Sequence, residues 1–208
     1  MSLCPAERRL YDCLKKWFDS YGYAPTLREI KDEMRSLSMS FIQDLLGRLQ
    51  QKGYIEKASR RARAIQLLSS ELPLRGMIQA GYLTDHPECR ERIRLEGDRY
   101  LAGDYALQVS GNSMIGAQIF DGDIVVIRPT SDLWAIRPGQ TAVVWIDGEG
   151  TTLKHVFCQE GDLQVTLKPA NPTHETRILD RDRIAVQGVM VGLHRYDDGL
   201  WLAAKSKD

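Results

Sequence analysis

The chain has 208 residues, 43% hydrophobic and 27% charged, with 28 basic side chains against 28 acidic ones. Such a composition excludes a disordered or fibrous chain, and the length points to two globular domains. No apolar run approaches the ~20 residues that span a bilayer, and no charged-then-apolar leader opens the chain, so a cytoplasmic protein with no membrane partner is expected.

The first 50 residues read as helices. Leu10, Cys13, Leu14 and Trp17 recur at helical spacing with Phe18 beside them, which makes one apolar stripe. Gly22-Tyr23-Ala24-Pro25 breaks that helix, and Thr26-Leu27-Arg28-Glu29 has the pattern of a capping box. Leu27, Ile30 and Met34 give the short second helix its buried face. Ser38 is a good N-cap for a third helix that runs to about Lys52, with Ile42, Leu45, Leu46 and Leu49 turned inward. Two short β segments follow, Tyr54 to Lys57 and Ala62 to Leu67, around a basic hairpin tip. Three helices and a basic hairpin predict a winged helix-turn-helix over residues 1–69.

Residues 70–76, polar at first and broken by Pro73, read as a linker. From 77 to 208 β patterning dominates. Tyr105, Leu107 and Val109 alternate with smaller or polar residues, and strand-like runs follow at 123–128, 141–146, 151–158, 163–168 and 184–194. The expected fold class is therefore α+β in two domains, the second mostly β.

Charge follows the same division. Residues 1–69 carry 13 lysines and arginines against 8 acids, and the remainder carries 15 against 20. A basic module joined to an acidic one suits a nucleic-acid binder with a regulatory domain. With the third helix packed through its leucines, Ser40, Gln43, Asp44, Gly47, Arg48 and Gln51 face outward. In a helix-turn-helix that surface enters the major groove. Gln43 suits adenine, Asp44 suits cytosine, and Ser38 and Ser40 suit phosphates or bases. Phe41 stands at the border of the stripe, fit either for a thymine methyl or for the core. Arg60, Arg61 and Arg63 suit phosphate or minor-groove contact, or a solvated tip. Gly47 weakens its helix by roughly 1 kcal/mol relative to Ala, which close approach of DNA would explain and a tolerated flaw would too.

The second half carries the more specific pattern. Ser110-Gly111-Asn112-Ser113-Met114 follows a strand and precedes Asp121-Gly122-Asp123, and Thr152-Leu153-Lys154 lies on a later strand. Ahead of them sits Ala80-Gly81, between Ile78 and Tyr82. A serine hydroxyl needs a neighbouring base to become a nucleophile, and lysine serves only when burial holds it neutral. Leu153, Val156 and Phe157 are candidates for such surroundings. Strand alternation sets His155 on the face opposite Lys154. His86, His174 and His194 show no ligand spacing, and Cys4, Cys13, Cys89 and Cys158 lie far apart with no C-x-x-C pair, so neither metal nor cofactor is expected.

In this order of motifs, and from Arg8-Arg9-Leu10-Tyr11 through Leu72-Pro73-Leu74-Arg75-Gly76 to Val189-Met190-Val191-Gly192, the sequence resembles the LexA family, and in its second half the wider clan of self-cleaving repressors and signal-peptidase-like folds. The resemblance implies Ser113 as nucleophile, Lys154 as general base, Ala80-Gly81 as the bond cut, and the backbone N–H groups of Asn112 and Ser113 as the oxyanion hole. It further implies a homodimeric repressor on double-stranded operator DNA in the bacterial cytoplasm, associated with the nucleoid. Self-cleavage would be stimulated by RecA filaments on single-stranded DNA in the DNA-damage (SOS) response. The sequence departs from the family pattern at Gln79, at Ile115 and in a longer stretch between Asp123 and Thr151 that includes Trp134 and Trp145. Gln79 leaves open the alternative of a LexA-like regulator with weak or lost self-cleavage, controlled by another signal.

Overall fold

The computed structural model describes residues 3–35, 37–57, 64–79, 82–84, 92–96, 100–101, 103–197 and 199–203. The chain packs as two compact units, one from residues 1–69 with 99–102 and the other from 70–98 with 103–208.

The first unit opens with α1 (Pro5–Tyr21), which ends on the left-handed Gly22 (φ 73°). Leu10 and Leu14 are fully buried, and Cys13 and Phe18 pack at the edge of the core. Helix α2 (Leu27–Glu33) begins at the capping box: the Thr26 N–H donates to Glu29 Oε2 at 2.6 Å, and the Glu29 N–H donates to Thr26 Oγ1 at 3.3 Å. Helix α3 (Met39–Gln51) starts at Ser38, whose Oγ accepts the Phe41 N–H at 3.3 Å. Ile42, Leu45, Leu46 and Leu49 are all buried, as the helical spacing requires. Lys52 Nζ donates to the buried Glu7 Oε2 at 2.6 Å and so ties the start of α1 to the end of α3.

Strands β1 (Ile55–Lys57) and β2 (Ile65–Ser69) pair antiparallel as the wing, in register Glu56↔Gln66. The tip residues Arg60, Arg61 and Arg63 lie outside the described residues. A third strand joins this small sheet from much later in the chain, as Leu68 pairs with Leu101 and Ser69 with Tyr100.

The expected linker at 70–76 is instead strand from Glu71 on and makes up the larger part of β3 (Glu71–Gln79). Leu72 and Ile78 are buried at 1% and 3% exposure, so the segment carries core side chains. Pro73 does not interrupt it for a local reason. It is the last partner of β5 (Arg92–Glu96), paired with Arg92, before β3 begins its parallel ladder with β7 (Tyr105–Ser110) at Leu74↔Ala106. A missing N–H costs little at such a change of partner. β4 (Tyr82–Thr84) folds back on β3 in register Gln79↔Tyr82, and β6 (Tyr100–Leu101) is the strand given to the wing sheet.

The rest of the second unit comprises β8 (Ile124–Pro129), β9 (Gln140–Ile146), β10 (Gly150–Phe157), β11 (Gln164–Lys168), β12 (Arg177–Asp180), β13 (Ile184–Asp197) and β14 (Leu200–Ala203). Trp145 lies on β9, in the strand expected over 141–146, while Trp134 sits in a short 3-10 turn, Leu133–Ala135. Pairings run β13–β14–β5–β3–β7–β8 and back to β13, which closes a ring of strands. From the first half of β13 the sheet continues outward through β9, β10, β11 and β12. One core, with Leu107, Met114, Val125, Val143 and Leu153, backs the turn after β7. A second, with Val144, Val156, Val165 and Leu167, fills the outer extension. The architecture is α+β, a winged helix-turn-helix and a mostly-β second unit. Among the described residues, no helix is long and apolar enough to cross a membrane.

Candidate functional site

The Ser113 turn is built by its flanking residues. β7 ends at Ser110, and Gly111 adopts φ 97°, a left-handed conformation in which other residues are strained. The Gly111 N–H donates to Asp121 Oδ1 at 2.7 Å, and the Phe120 N–H to Asp123 Oδ2 at 2.8 Å. The D-G-D motif is therefore a brace for the turn. Arg195 in turn grips the buried Asp123 with both Nε and Nη2 at 2.8 Å. Gly116 allows a second close approach: its N–H donates to the Ala170 carbonyl at 2.6 Å, and a Cβ there would stand 2.2 Å from that oxygen.

β10 brings Lys154 to the same place. Its Nζ lies 2.9 Å from Ser113 Oγ, 2.9 Å from Thr152 Oγ1 and 2.9 Å from the Leu153 carbonyl. Burial, with the positive charge of Arg177 nearby, brings the Lys154 pKa down to about 8. A neutral amine has two N–H bonds and one lone pair. The Leu153 carbonyl can only accept and the Thr152 hydroxyl is free to accept, so the lone pair is left for the Ser113 O–H. In this arrangement a neutral Lys154 amine is placed to accept a hydrogen bond from the Ser113 hydroxyl. Thr152 stood in the motif without an assigned role, and its position beside the amine supplies one. Leu153 and Val156 are buried as expected, but Phe157 is 39% exposed, so it does not shield the lysine. His155 bonds to Thr141 Oγ1 at 3.2 Å, away from Lys154.

A cleft of about 520 Å³ opens beside the pair, with Thr152 and Lys154 in its wall and Glu149, His174 and Arg177 further along. Arg177 and Glu149 form a two-pronged ion pair there, which holds the Glu149 carboxyl below its usual range. β4 comes alongside β10, so the chain just after Gly81 runs near the strand that carries Lys154. Ala80 and Gly81 themselves lie outside the described residues. Among the described residues no group of His, Cys, Asp or Glu side chains is arranged to hold a metal ion.

On the first unit, α3 turns Ser40, Phe41, Gln43, Asp44 and Arg48 outward. Phe41 is 38% exposed, which takes it out of the core. Ser38 is engaged in its capping bond and lies 3.1 Å from Ser40 Oγ. Asp44 pairs with Arg48 at 2.8 Å across one turn of the helix.

Comparison with known proteins gives each unit a class. Residues 1–64 match the LexA DNA-binding domain, and residues 73–191 match the Peptidase S24-like domain. The LexA repressor of Alcanivorax borkumensis is 34% identical over 201 residues, covering 93% of this chain and 96% of its own. That of Roseiflexus sp. is 34% identical with coverage of 93% and 96%, and that of Geobacter metallireducens 31% with 93% and 97%. A DNA-binding domain followed by a serine peptidase-family domain is thus the class of the molecule. The chain belongs to the LexA repressor family.

Proposed function

We propose that the protein is a dimeric repressor of operator DNA that inactivates itself by cutting its own Ala80-Gly81 bond. The observation that carries this reading is the 2.9 Å approach of Lys154 Nζ to Ser113 Oγ on a partly buried lysine with a pKa of about 8. At that pKa a usable fraction of the amine is neutral in the cytoplasm.

In the proposed reaction Ser113 Oγ attacks the Ala80 carbonyl carbon while Lys154 takes its proton. The oxyanion that forms is met by the N–H groups of Ser113 and Asn112. As the Ala80–Gly81 C–N bond breaks, Lys154 gives its proton to the departing Gly81 amine. The Ala80 ester on Ser113 is then hydrolysed by a water from which Lys154 takes a proton, and Ser113 is regenerated. On the DNA side, Ser38, Ser40, Phe41, Gln43, Asp44 and Arg48 meet the major groove, and Arg60, Arg61 and Arg63 meet phosphates. Two reading heads held by a dimeric second unit gain an effective concentration that single heads lack, so cutting lowers operator affinity by orders of magnitude. The family resemblance supports RecA on single-stranded DNA as the stimulus, in the SOS response of a bacterial cytoplasm.

Intact mass spectrometry after incubation at alkaline pH tests the reading. Wild-type protein should yield two fragments that break between Ala80 and Gly81, at a first-order rate independent of protein concentration. Ser113→Ala should yield none while still binding DNA. Fragments of the same masses from Ser113→Ala would assign the cut to another protease.

A further inference from the structure

The loop after β11 holds the Ser113 turn at three points. The Ala170 carbonyl accepts the Gly116 N–H at 2.6 Å, Asn171 Nδ2 donates to the Asn112 carbonyl at 3.0 Å, and His174 Nε2 lies 2.7 Å from Asn112 Oδ1. Asn171 is buried at 5% exposure, and its Oδ1 accepts both the Thr173 N–H at 3.0 Å and the Thr173 hydroxyl at 2.9 Å. Those two donors fix which way round the amide sits: the oxygen faces Thr173, and the NH₂ faces Asn112.

The peptide between Asn112 and Ser113 is trans, like every described one, and planar, so its C=O and N–H point in opposite directions. Fixing the Asn112 carbonyl on Asn171 therefore fixes the direction of the Ser113 N–H. We propose that Asn171 is a positioning residue for acyl transfer, which aims the Ser113 N–H at the oxyanion by holding the carbonyl at the other end of the same peptide, with His174 anchoring the Asn112 side chain. The inference rests on the self-cleavage reading above and assigns it two residues that no motif marks. Donation to the carbonyl also polarises the peptide, which makes its N–H the stronger donor. Buried, locked donors of this kind act without reorganising as charge develops.

The test is the first-order rate of self-cleavage from neutral to alkaline pH for the full chain, with thermal unfolding recorded alongside. Asn171→Asp keeps an oxygen for Thr173 and replaces the donating NH₂ by a second oxygen. It should slow cutting about 10- to 100-fold at every pH, towards the lower end of what a lost oxyanion donor costs. The loss should persist on the alkaline plateau, where Lys154 is neutral, whatever upward shift of the midpoint the new carboxylate causes by favouring the charged lysine. His174→Ala, at the cleft mouth, should slow cutting several-fold and unfold at the wild-type temperature. A wild-type rate in Asn171→Asp overturns the inference and leaves the Ser-Lys reading standing. A rate loss that vanishes on the alkaline plateau overturns it too, since the substitution would then act only through the protonation of Lys154. If Asn171→Asp does not fold, His174→Ala decides, and an unchanged rate there counts against the clasp. Wild-type protein that yields no fragments overturns the self-cleavage reading and this inference together.

Discussion

On the outer face of α3, Gln43, Asp44 and Arg48 stand exposed on one helix, and the closest partner of Arg48 is Asp44 four residues away. Around Ser113 the arrangement is the reverse. Lys154, Thr152, Arg195 and Asn171 come from distant parts of the chain and, with the nearer Asp121 and Asp123, are bonded into one network with the turn. The difference fits what the proposed function asks of each surface. A reading face meets a duplex whose phosphates supply most of the affinity, and its side chains must be free to reach bases. A serine activated by lysine must have its geometry in place before the reaction starts. Substitutions on α3 should therefore act singly and mildly, whereas substitutions in the network should act through one another.

The largest effect is expected at Lys154. Lys154→Arg keeps the positive charge but offers no neutral amine, because guanidinium does not deprotonate in this range. Cutting should fall by a thousandfold or more, on the order seen when members of a serine triad are removed. In wild type the rate should climb about tenfold per pH unit while Lys154 is mostly protonated, and level off above its pKa of about 8. The sign follows from the active form being the unprotonated one. Gel quantification of the intact chain over time measures both, and a rate flat between neutral pH and the plateau would remove the lysine from the mechanism.

Next in size are the two kinds of DNA contact. Gln43→Ala should cost about 1–3 kcal/mol on the preferred operator and little on unrelated duplexes. Arg61→Ala should weaken binding to every sequence and reduce the salt slope by about one. Fluorescence anisotropy at several salt concentrations separates these outcomes. Equal loss on all sequences from Gln43→Ala would end its case as a base reader.

Much of this contrast was legible in the sequence, and the legible parts are those built from neighbours. The leucine stripe of α3, the Thr26-to-Glu29 capping box and the S-G-x-S and T-x-K motifs each depend on residues a few positions apart; the two helices form as their patterns predict, and Lys154 lies on a strand as expected. The resemblance to the LexA family spans both units, and the comparisons show it. What local pattern hid came from long separations. Pro73 looked like a break because the strands that flank β3, namely β5 and β7, lie 19 residues or more further on. The two-residue β6 has no periodicity to read, and only its pairing with β2 makes it a strand. Arg195 and Asn171 reach the Ser113 turn across 72 and 59 residues. Phe157 was expected beside Lys154 from its place on the strand, but it stands exposed against Gly139 instead.

Thr152 tests whether the network is coupled as described. Thr152→Val removes an acceptor for the Lys154 amine with little change of shape. The net value of one such hydrogen bond is about 0.5–1.5 kcal/mol, so the rate should fall roughly two- to tenfold. The pH midpoint should also move down, because a hydrogen bond to the charged form favours that form and its loss disfavours it. A rate and midpoint both equal to wild type would reduce Thr152 to a bystander.

The smallest effect, at Gly47, bears on the exposed face alone. A Cβ at this position would meet no atom within 4 Å, so nothing inside the unit requires glycine in the middle of α3. Its φ lies outside the left-handed region, so backbone geometry does not require it either. Gly47→Ala should therefore stabilise the first unit by about 0.4–1 kcal/mol, chiefly by restricting the unfolded chain. Urea unfolding followed by helix ellipticity measures that gain. If the duplex comes close to the helix at this point, the same methyl should weaken operator binding while leaving self-cleavage untouched. A more stable variant that binds operator as tightly as wild type would show that Gly47 is a flaw that the fold tolerates. A loss of binding on all sequences alike would place the DNA backbone, rather than a base, against this turn of the helix.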